Sequence, residues 1–222
     1  MTTTNWEQPL VSVDVVPIRL NKSTRQIDVF LGRRKNEPYL GELALPGVLL
    51  SPHERVNEAG IRALTEKLEA SVEDVRFVKD VGVADNPDRD PRGATLSIVH
   101  FAVLGDDYVV NESIVKAISL HDIKATSLPF DHNALIEKAL AQVDAFLMVD
   151  KDTSKAVLGD TFRTTDLYVA FTELHKVTNS PTGIPDLSNL SRSLKKSDWL
   201  RSEEAPRTST SKGRPASQWA WE

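Results

Sequence analysis

Apolar and polar residues alternate along the N-terminal part of the chain, which is the pattern that a half-buried β-strand produces. Residues 11–15 alternate valine with Ser12 and Asp14, and a second apolar run covers residues 27–34. A third run, at residues 94–104, follows the turn-forming sequence Asp-Pro-Arg-Gly at 90–93. We therefore predict three strands over these ranges.

A helix is predicted between the second and third strands, after the sequence Leu-Pro-Gly-Val at residues 45–48. Apolar or small residues recur there at every fourth position: Val56, Gly60, Leu64 and Leu68. Glu58, Arg62 and Glu66 alternate in charge at the same spacing, so the opposite face suits solvent. An ordinary amphipathic helix over residues 54–68 explains this pattern by itself.

A helix that connects two domains is predicted next. Asp131 is placed to cap its first turn. Its apolar stripe recurs at helical spacing: Leu135, Ile136, Ala139, Leu140, Val143 and Leu147. We place this helix at residues 131–150, between domains at residues 10–130 and 151–222, with residues 1–9 as a flexible tail.

The C-terminal region has the pattern of a winged helix-turn-helix. One helix follows Thr164 and Thr165, and a second starts near Asp186. The second helix has three leucines that we expect to face inward: Leu187, Leu190 and Leu194. Two short strands at residues 199–201 and 216–221 then enclose a polar, basic loop. This order of elements places the second helix to enter the major groove of DNA.

Charge supports a polyanionic partner for this region. The chain has a net charge of −5, but residues 192–214 contain seven basic and three acidic residues. We expect DNA contacts from both helices and from the wing: Thr164, Thr165, Ser188, Asn189, Arg192, Lys195, Lys196, Arg201, Lys212 and Arg214. A basic helix that contacts only water shows the same pattern, so this alternative stays open.

Composition excludes several kinds of site. The chain has no cysteine, and its five histidines show no paired ligand spacing. We therefore expect no disulfide, no thiolate zinc site and no histidine metal site. No apolar run is long enough to cross a membrane and no signal-like N-terminus is seen, so we expect a cytoplasmic protein with no membrane partner.

The helix over residues 54–68 resembles the Nudix box. Four residues fit the motif when Arg62 sets the frame: Glu54, Arg62, Leu64 and Glu66. Four positions depart from it: Val48 for a glycine, Ala63 and Lys67 for glutamates, and Glu69 for the closing glycine. Positions 63, 66 and 67 lie one helical turn apart, where three carboxylates could hold Mg²⁺. Alanine and lysine there remove the negative charge, so we expect no metal and no enzyme activity.

The order of strands, turn, box helix and Asp-Pro-Arg-Gly sequence resembles Nudix domains related to ADP-ribose pyrophosphatases. With the C-terminal helices and Gly-Arg-Pro-Ala at 213–216, nearly the whole chain resembles the Nudix-related transcriptional regulators, NrtR. The resemblance implies an α+β fold, in which a Nudix-type mixed-sheet α/β/α sandwich precedes a winged helix-turn-helix domain. It also implies a homodimeric repressor of NAD biosynthesis or salvage genes. A pyrophosphate nucleotide such as ADP-ribose would bind its inactive Nudix domain and release double-stranded DNA, with a palindromic operator as the expected site.

The resemblance also implies which residues contact the nucleotide effector. They lie in the box and near the phosphate-facing loops: Arg33, Arg34, Glu54, Arg62, Glu66 and Arg92. For Arg92, an ion pair with Asp85, Asp88 or Asp90 is an equal alternative. Val48 places a branched side chain in the turn that approaches the ligand, which leaves the identity of the effector open.

Two other functions fit the sequence. One is a Mg²⁺-dependent Nudix hydrolase that cleaves ADP-ribose or a related dinucleotide, against which Ala63 and Lys67 argue. The other is a nucleotide-sensing adaptor that binds a protein. An adaptor would fail to retain DNA even at about 50 mM salt, where phosphate contacts are strong.

Overall fold

The structure is a computed structural model that describes residues 8–178, 183–204 and 217–222. Its strands are β1 (Leu10–Asn21), β2 (Gln26–Arg33), β3 (Leu43–Ala44), β4 (Gly47–Leu49), β5 (Val75–Ala84), β6 (Thr95–Leu104), β7 (Val115–Ser119), β8 (Thr161–Arg163), β9 (Leu200–Glu204) and β10 (Ser217–Trp221). Its helices are α1 (Val56–Leu68), α2 (Leu120–Ile123), α3 (His132–Phe146), α4 (Lys151–Leu158), α5 (Thr164–Thr178) and α6 (Leu187–Leu194). Of these helices, none combines the length and apolar composition that a membrane crossing needs.

A mixed seven-stranded sheet is built from the N-terminal strands. Its main path is β3-β2-β1-β6-β5, with β4 paired to β1 and β7 paired to β2. β1 runs parallel to β6 and antiparallel to β2 and β4. The three predicted strands are confirmed as β1, β2 and β6, whereas β3, β4, β5 and β7 were not predicted.

Helices cover both faces of this sheet. Val13 of β1 packs in one core cluster with Leu64 of α1, and Val16 of the same strand packs in a second cluster with Leu140 of α3. Alternate residues of β1 therefore point to opposite helical layers. The predicted α/β/α sandwich is confirmed.

The C-terminal elements form the predicted winged helix-turn-helix arrangement. β9 and β10 pair as an antiparallel hairpin, and β8 adds a third strand beside β10, which the sequence pattern did not reveal. α5 begins at Thr164, so Thr164 and Thr165 belong to its first turn instead of preceding it. The carboxylate of Asp186 caps α6 by accepting from the backbone N–H of Asn189 at 2.8 Å.

The inward prediction for Leu187 is wrong, while those for Leu190 and Leu194 are confirmed. Leu187 is 45% exposed, whereas the other two side chains are buried against the core. Helical side chains lean toward the N-terminus, so a residue in the first turn projects past the end of its own helix. Leu187 therefore extends beyond the buried part of α6.

One core cluster runs through both parts of the chain. α3 packs more extensively on α5 than on any other element, and its predicted apolar stripe is buried. Phe162, Leu174 and Trp219 belong to the same cluster as the α3-facing side of the sheet. The division at residue 150 stays a prediction, but α3 clearly contacts both sides of it.

Candidate effector cleft and nucleic-acid interface

A cleft of about 420 Å³ opens where the end of the sheet meets α1, the loop before β6 and the start of α3. The basic residues of its lining outnumber the acidic ones. The basic members are Arg33, Arg34, Lys35, Arg62, Lys67, Arg89 and Arg92, and the acidic members are Asp14, Glu66 and Asp90. A concave surface with this excess of positive charge suits a phosphate-bearing ligand.

Residues of the box motif bind one another on one side of the cleft. Arg62 donates through Nε and Nη2 to the carboxylate of Glu54, at 2.7 and 2.9 Å, and through Nη1 to Glu66 at 3.2 Å. It also reaches the backbone oxygen of Leu49 at 2.9 Å, which fixes α1 to β4. The hydrogen bonds from Arg62, followed by one from the Ser51 N–H, lower the pKa of Glu54 to about 2. In the described part of the chain, the cleft lining includes Arg62 and Glu66 but not Glu54.

Arg33 and Arg34 both line the cleft, and Arg34 lies against an aromatic ring. Arg33 Nη1 donates to Gly41 O at 2.8 Å, and the Arg34 guanidinium lies 4.8 Å from the ring centroid of Phe130. The Tyr39 ring meets Phe130 edge to face, with centroids 5.0 Å apart. Burial, and then the neighbouring charge of Arg92, lowers the pKa of Arg34. The cluster gives the cleft a planar, partly apolar wall beside its cations.

Arg92 forms an ion pair with Asp90, as the alternative prediction for this residue expected. Its Nη2 lies 2.6 Å from Asp90 Oδ2, and the guanidinium side chain is 56% exposed. Asp90, by contrast, is buried. Because Arg92 lines the cleft as well, the pair positions a cation at the edge of the site.

Arg89 is a cleft residue that sequence reasoning missed. Its side chain is 5% exposed and binds both oxygens of Asp131, with Nε–Oδ2 at 3.0 Å and Nη2–Oδ1 at 2.8 Å. The same Nη2 donates to Asp14 Oδ2 at 2.9 Å, and that oxygen accepts a second hydrogen bond from Ser97 Oγ at 2.6 Å. Burial opposes the charge of Arg89, but the two carboxylates outweigh it and raise its pKa. Asp131 was predicted to cap α3, yet its carboxylate makes no capping hydrogen bond because it binds Arg89.

The turn before the box helix approaches the cleft closely, but at Gly47 and not at Val48. A Cβ at Gly47 would collide with the carboxylate of Asp14, so this position requires glycine. Val48 is 8% exposed and packs in the core cluster that includes α1. The branched side chain at position 48 therefore belongs mainly to the core, although its residue also borders the cleft.

His132 joins the start of α3 to the same turn. Its Nδ1 accepts from the backbone N–H of Leu45 at 3.0 Å, which requires an unprotonated nitrogen at this position. Burial lowers the pKa of His132, in agreement with that role. The residue before Asp131, Phe130, lines the cleft with a φ of 58°. Three consecutive residues at the start of α3 thus contact the walls of the cleft.

The predicted recognition helix presents a polar, exposed face. Its members are Ser188, Asn189, Arg192, Lys195 and Lys196. Arg192 Nη1 donates to Asn189 Oδ1 at 3.0 Å, and Asn189 Nδ2 donates to the capping carboxylate of Asp186 at 2.7 Å. Asn189 and Arg192, two of the predicted DNA contacts, therefore lie side by side.

The other predicted DNA contacts differ in exposure and in their hydrogen-bond partners. Thr164 accepts from Trp219 Nε1 at 3.0 Å, so its hydroxyl fixes α5 to the hairpin, whereas Thr165 is exposed. Arg201 is exposed and pairs with Glu203 at 3.0 Å. Lys212 and Arg214 lie outside the described residues.

No family model matches the chain. Over 130 residues it is 33% identical to ADP-ribose pyrophosphatase of Methanocaldococcus jannaschii, a match that covers 58% of this chain and 72% of that protein. Over 146 residues it is 25% identical to the ADPR responsive transcriptional repressor NtrR of Acinetobacter baylyi. That match covers 63% of this chain, which spans 56% of the length of the repressor.

Among solved structures, NrtR of Shewanella oneidensis matches with a TM-score of 0.75 at 24% identity, covering 96% of this chain and 94% of that one. The same protein complexed with a 27mer DNA gives a TM-score of 0.70 at 22% identity, over 96% of this chain and 93% of that one. These likenesses establish the fold. The Nudix domain of that protein, complexed with ADP ribose, gives 0.52 at 26% identity, over 62% of this chain and 90% of that domain.

Proposed function

This chain belongs to the Nudix family, and we propose that it is a DNA-binding transcriptional repressor whose Nudix domain senses ADP-ribose or a related nucleotide and then releases DNA. The main observation is that one chain contains both a cationic cleft and an exposed basic helix in a winged helix-turn-helix. A pyrophosphate fits the first, and the phosphate backbone of a duplex fits the second. The order of these parts is that of the Shewanella NrtR structures described above.

Magnesium, which Nudix hydrolases use, does not fit the residues at the box positions. Ala63 has no ligand atom and is fully buried. Glu66 accepts from Arg62, and the Lys67 ammonium lies 3.5 Å from its other oxygen. Hard divalent cations need several oxygen ligands, whereas this part of α1 offers one carboxylate that two cations already contact. We propose that the cleft binds its nucleotide through arginine and lysine and does not hydrolyse it.

The DNA-binding half of the proposal depends on α6. Arg192 and Asn189 occupy the exposed face, where side chains of a helix in the major groove reach base edges. Lys195 and Lys196 are exposed beside them and suit phosphate contacts. A homodimer would present two such helices to a palindromic operator and multiply the discrimination of one.

The proposal is tested by titrating the protein into labelled DNA from upstream of its own gene and of neighbouring NAD-related genes. We expect the protein to retain one fragment specifically and to lose it at high salt. A protein that makes roughly 6 to 10 phosphate contacts binds DNA 10³- to 10⁵-fold more weakly at 200 mM salt than at 50 mM. ADP-ribose should weaken that binding. Absence of retention at low salt would favour the adaptor, and sustained Mg²⁺-dependent release of AMP that Glu66→Gln abolishes would favour the hydrolase.

A further inference from the structure

At the start of α3, a buried charge of the cleft contacts the residue that precedes the helix, and α3 also packs on α5. Arg89 comes from the loop between β5 and β6, and Asp131 directly precedes α3. The two side chains form a bidentate ion pair, and their exposed fractions are only 5% for Arg89 and 21% for Asp131. Bidentate arginine–carboxylate pairs combine strength with a fixed orientation. The pair therefore fixes the start of α3 relative to the floor of the cleft.

Arg89 also has capacity for another anion. A guanidinium carries five N–H donors, and Nε and Nη2 account for the bonds to Asp131 and Asp14. Nη1 makes a single long contact of 3.5 Å, to Ser12 Oγ. Since Arg89 lines the cleft, a phosphate there meets an arginine that already shares its charge between two carboxylates. A phosphate that accepts from Nη1 shares the charge of Arg89 with Asp131, and its own negative charge repels that carboxylate.

α3 continues from this pair to the DNA-binding elements. Beyond its contacts with the sheet, α3 packs along α5, where Asp144 lies 3.2 Å from His175. α5 in turn contacts α6, the predicted recognition helix. Packed helices therefore link the first turn of α3 to α6, and close-packed interiors transmit strain.

We propose that Arg89 is the positioning residue that couples the cleft to α6, and that a phosphate of the bound nucleotide displaces the Asp131 carboxylate from it. This inference rests on the proposed function. With the Arg89–Asp131 pair closed, α3 stabilises the arrangement that binds DNA. With Arg89 bound to phosphate, α3 is free to move and the DNA-binding arrangement loses its advantage. The ligand therefore acts through its different affinities for the two arrangements.

Asp131→Asn tests the coupling with a change that keeps size and leaves Arg89 paired with Asp14. Asp106→Asn is the control, because Asp106 also pairs with an arginine, Arg76 at 3.1 Å, but neither residue lines the cleft and Asp106 contacts no residue of α3 among the described hydrogen bonds and ion pairs. For each protein, two affinities are measured: that for ADP-ribose by calorimetry in EDTA, and that for the operator by fluorescence anisotropy with and without saturating ADP-ribose. In the wild type we expect ADP-ribose to reduce operator affinity by roughly 5- to 150-fold.

We expect Asp131→Asn to bind the operator weakly without ADP-ribose, to respond little to it, and to bind ADP-ribose more tightly than the wild type. The last result distinguishes the proposal from simple damage, since a poorly folded cleft would bind ADP-ribose less well. Asp106→Asn should keep the full response. Wild-type operator affinity and wild-type response in Asp131→Asn would overturn the coupling but leave the proposed function intact. A wild type whose operator binding ignores bound ADP-ribose would overturn both.

Discussion

The cleft and the proposed recognition helix differ in how their positive charges are bound. In the cleft, Arg62 and Arg89 are already bound by carboxylates of the chain, and Arg89 is buried. Arg192 on α6 and Lys196 just beyond its C-terminal end are exposed, and the described partner of Arg192 is a neutral amide. Fixed cations lower the ordering cost of binding a ligand, whereas exposed ones act by releasing counterions from DNA. Ligand binding in the cleft should therefore depend on geometry, and DNA binding by α6 on ionic strength.

The largest expected effect is on the buried network. Arg89→Met leaves the carboxylates of Asp14 and Asp131 without their shared cation, so the free energy of unfolding should fall by about 3–5 kcal/mol. Arg92→Met removes an arginine whose side chain is 56% exposed, and should cost about 0–1 kcal/mol. Urea unfolding of both variants measures the difference. If both variants lose the same free energy of unfolding, the buried ion pairs of Arg89 are worth no more than a surface ion pair.

The recognition helix is tested by affinity, not stability. Arg192→Ala should cost about 1–3 kcal/mol on the operator and little on random DNA, whereas Lys196→Ala should weaken both alike and reduce the salt slope by about one. Fluorescence anisotropy at several salt concentrations measures these changes. Lys116→Ala, an exposed lysine on β7, is the control and should change neither. If Arg192→Ala and Lys196→Ala lose affinity equally on both DNAs, the assigned roles are wrong.

A smaller effect is expected at Lys67, which stands where hydrolases of the family have a glutamate. Because its side chain is 42% exposed, Lys67→Ala should weaken ADP-ribose binding by about 1 kcal/mol, roughly fivefold. Calorimetry with EDTA and with Mg²⁺ should give the same wild-type affinity. Mg²⁺ should strengthen binding only after Ala63→Glu and Lys67→Glu together. If Mg²⁺ strengthens the binding of ADP-ribose to the wild type, the proposal that the Lys67 ammonium takes the place of the metal is wrong.

The smallest expected effect concerns pH. Burial lowers the pKa of His132 below its ordinary 6.5. As the pH falls below 6.5, His132 therefore becomes protonated in the unfolded chain before it does so in the folded chain. The contribution of His132 to stability is full above pH 6.5 and is lost as pH falls through the folded value. Thermal unfolding at pH 7.5 and 5.5 should show a smaller drop for His132→Gln than for the wild type. His100, whose pKa burial also lowers, should leave part of the drop in both proteins.

The sequence predicted those strands and helices whose apolar residues recur at regular spacing within one element. β1, α1 and the apolar stripe of α3 followed from regular alternation or helical spacing. β5 was missed because its register is interrupted between Val75 and Phe77 and again between Asp80 and Gly82, which breaks the alternation that identifies a strand.

The candidate site was predicted in part for the same reason. The box residues lie within one helix and its preceding turn, so their frame is visible in the sequence. Arg89 was missed because its partners are 75 and 42 residues away in the chain. Only the sheet brings Asp14 beside it, and only the packing of α3 brings Asp131, so no spacing in the sequence marks the group.

The most direct test is a titration of ADP-ribose into a preformed complex of the protein with its operator, at constant salt and in EDTA. Anisotropy reports the DNA, and calorimetry under the same conditions reports occupancy of the cleft. We predict that DNA leaves as the cleft fills, without any nucleotide being hydrolysed. DNA that stays bound while ADP-ribose saturates the cleft would contradict it.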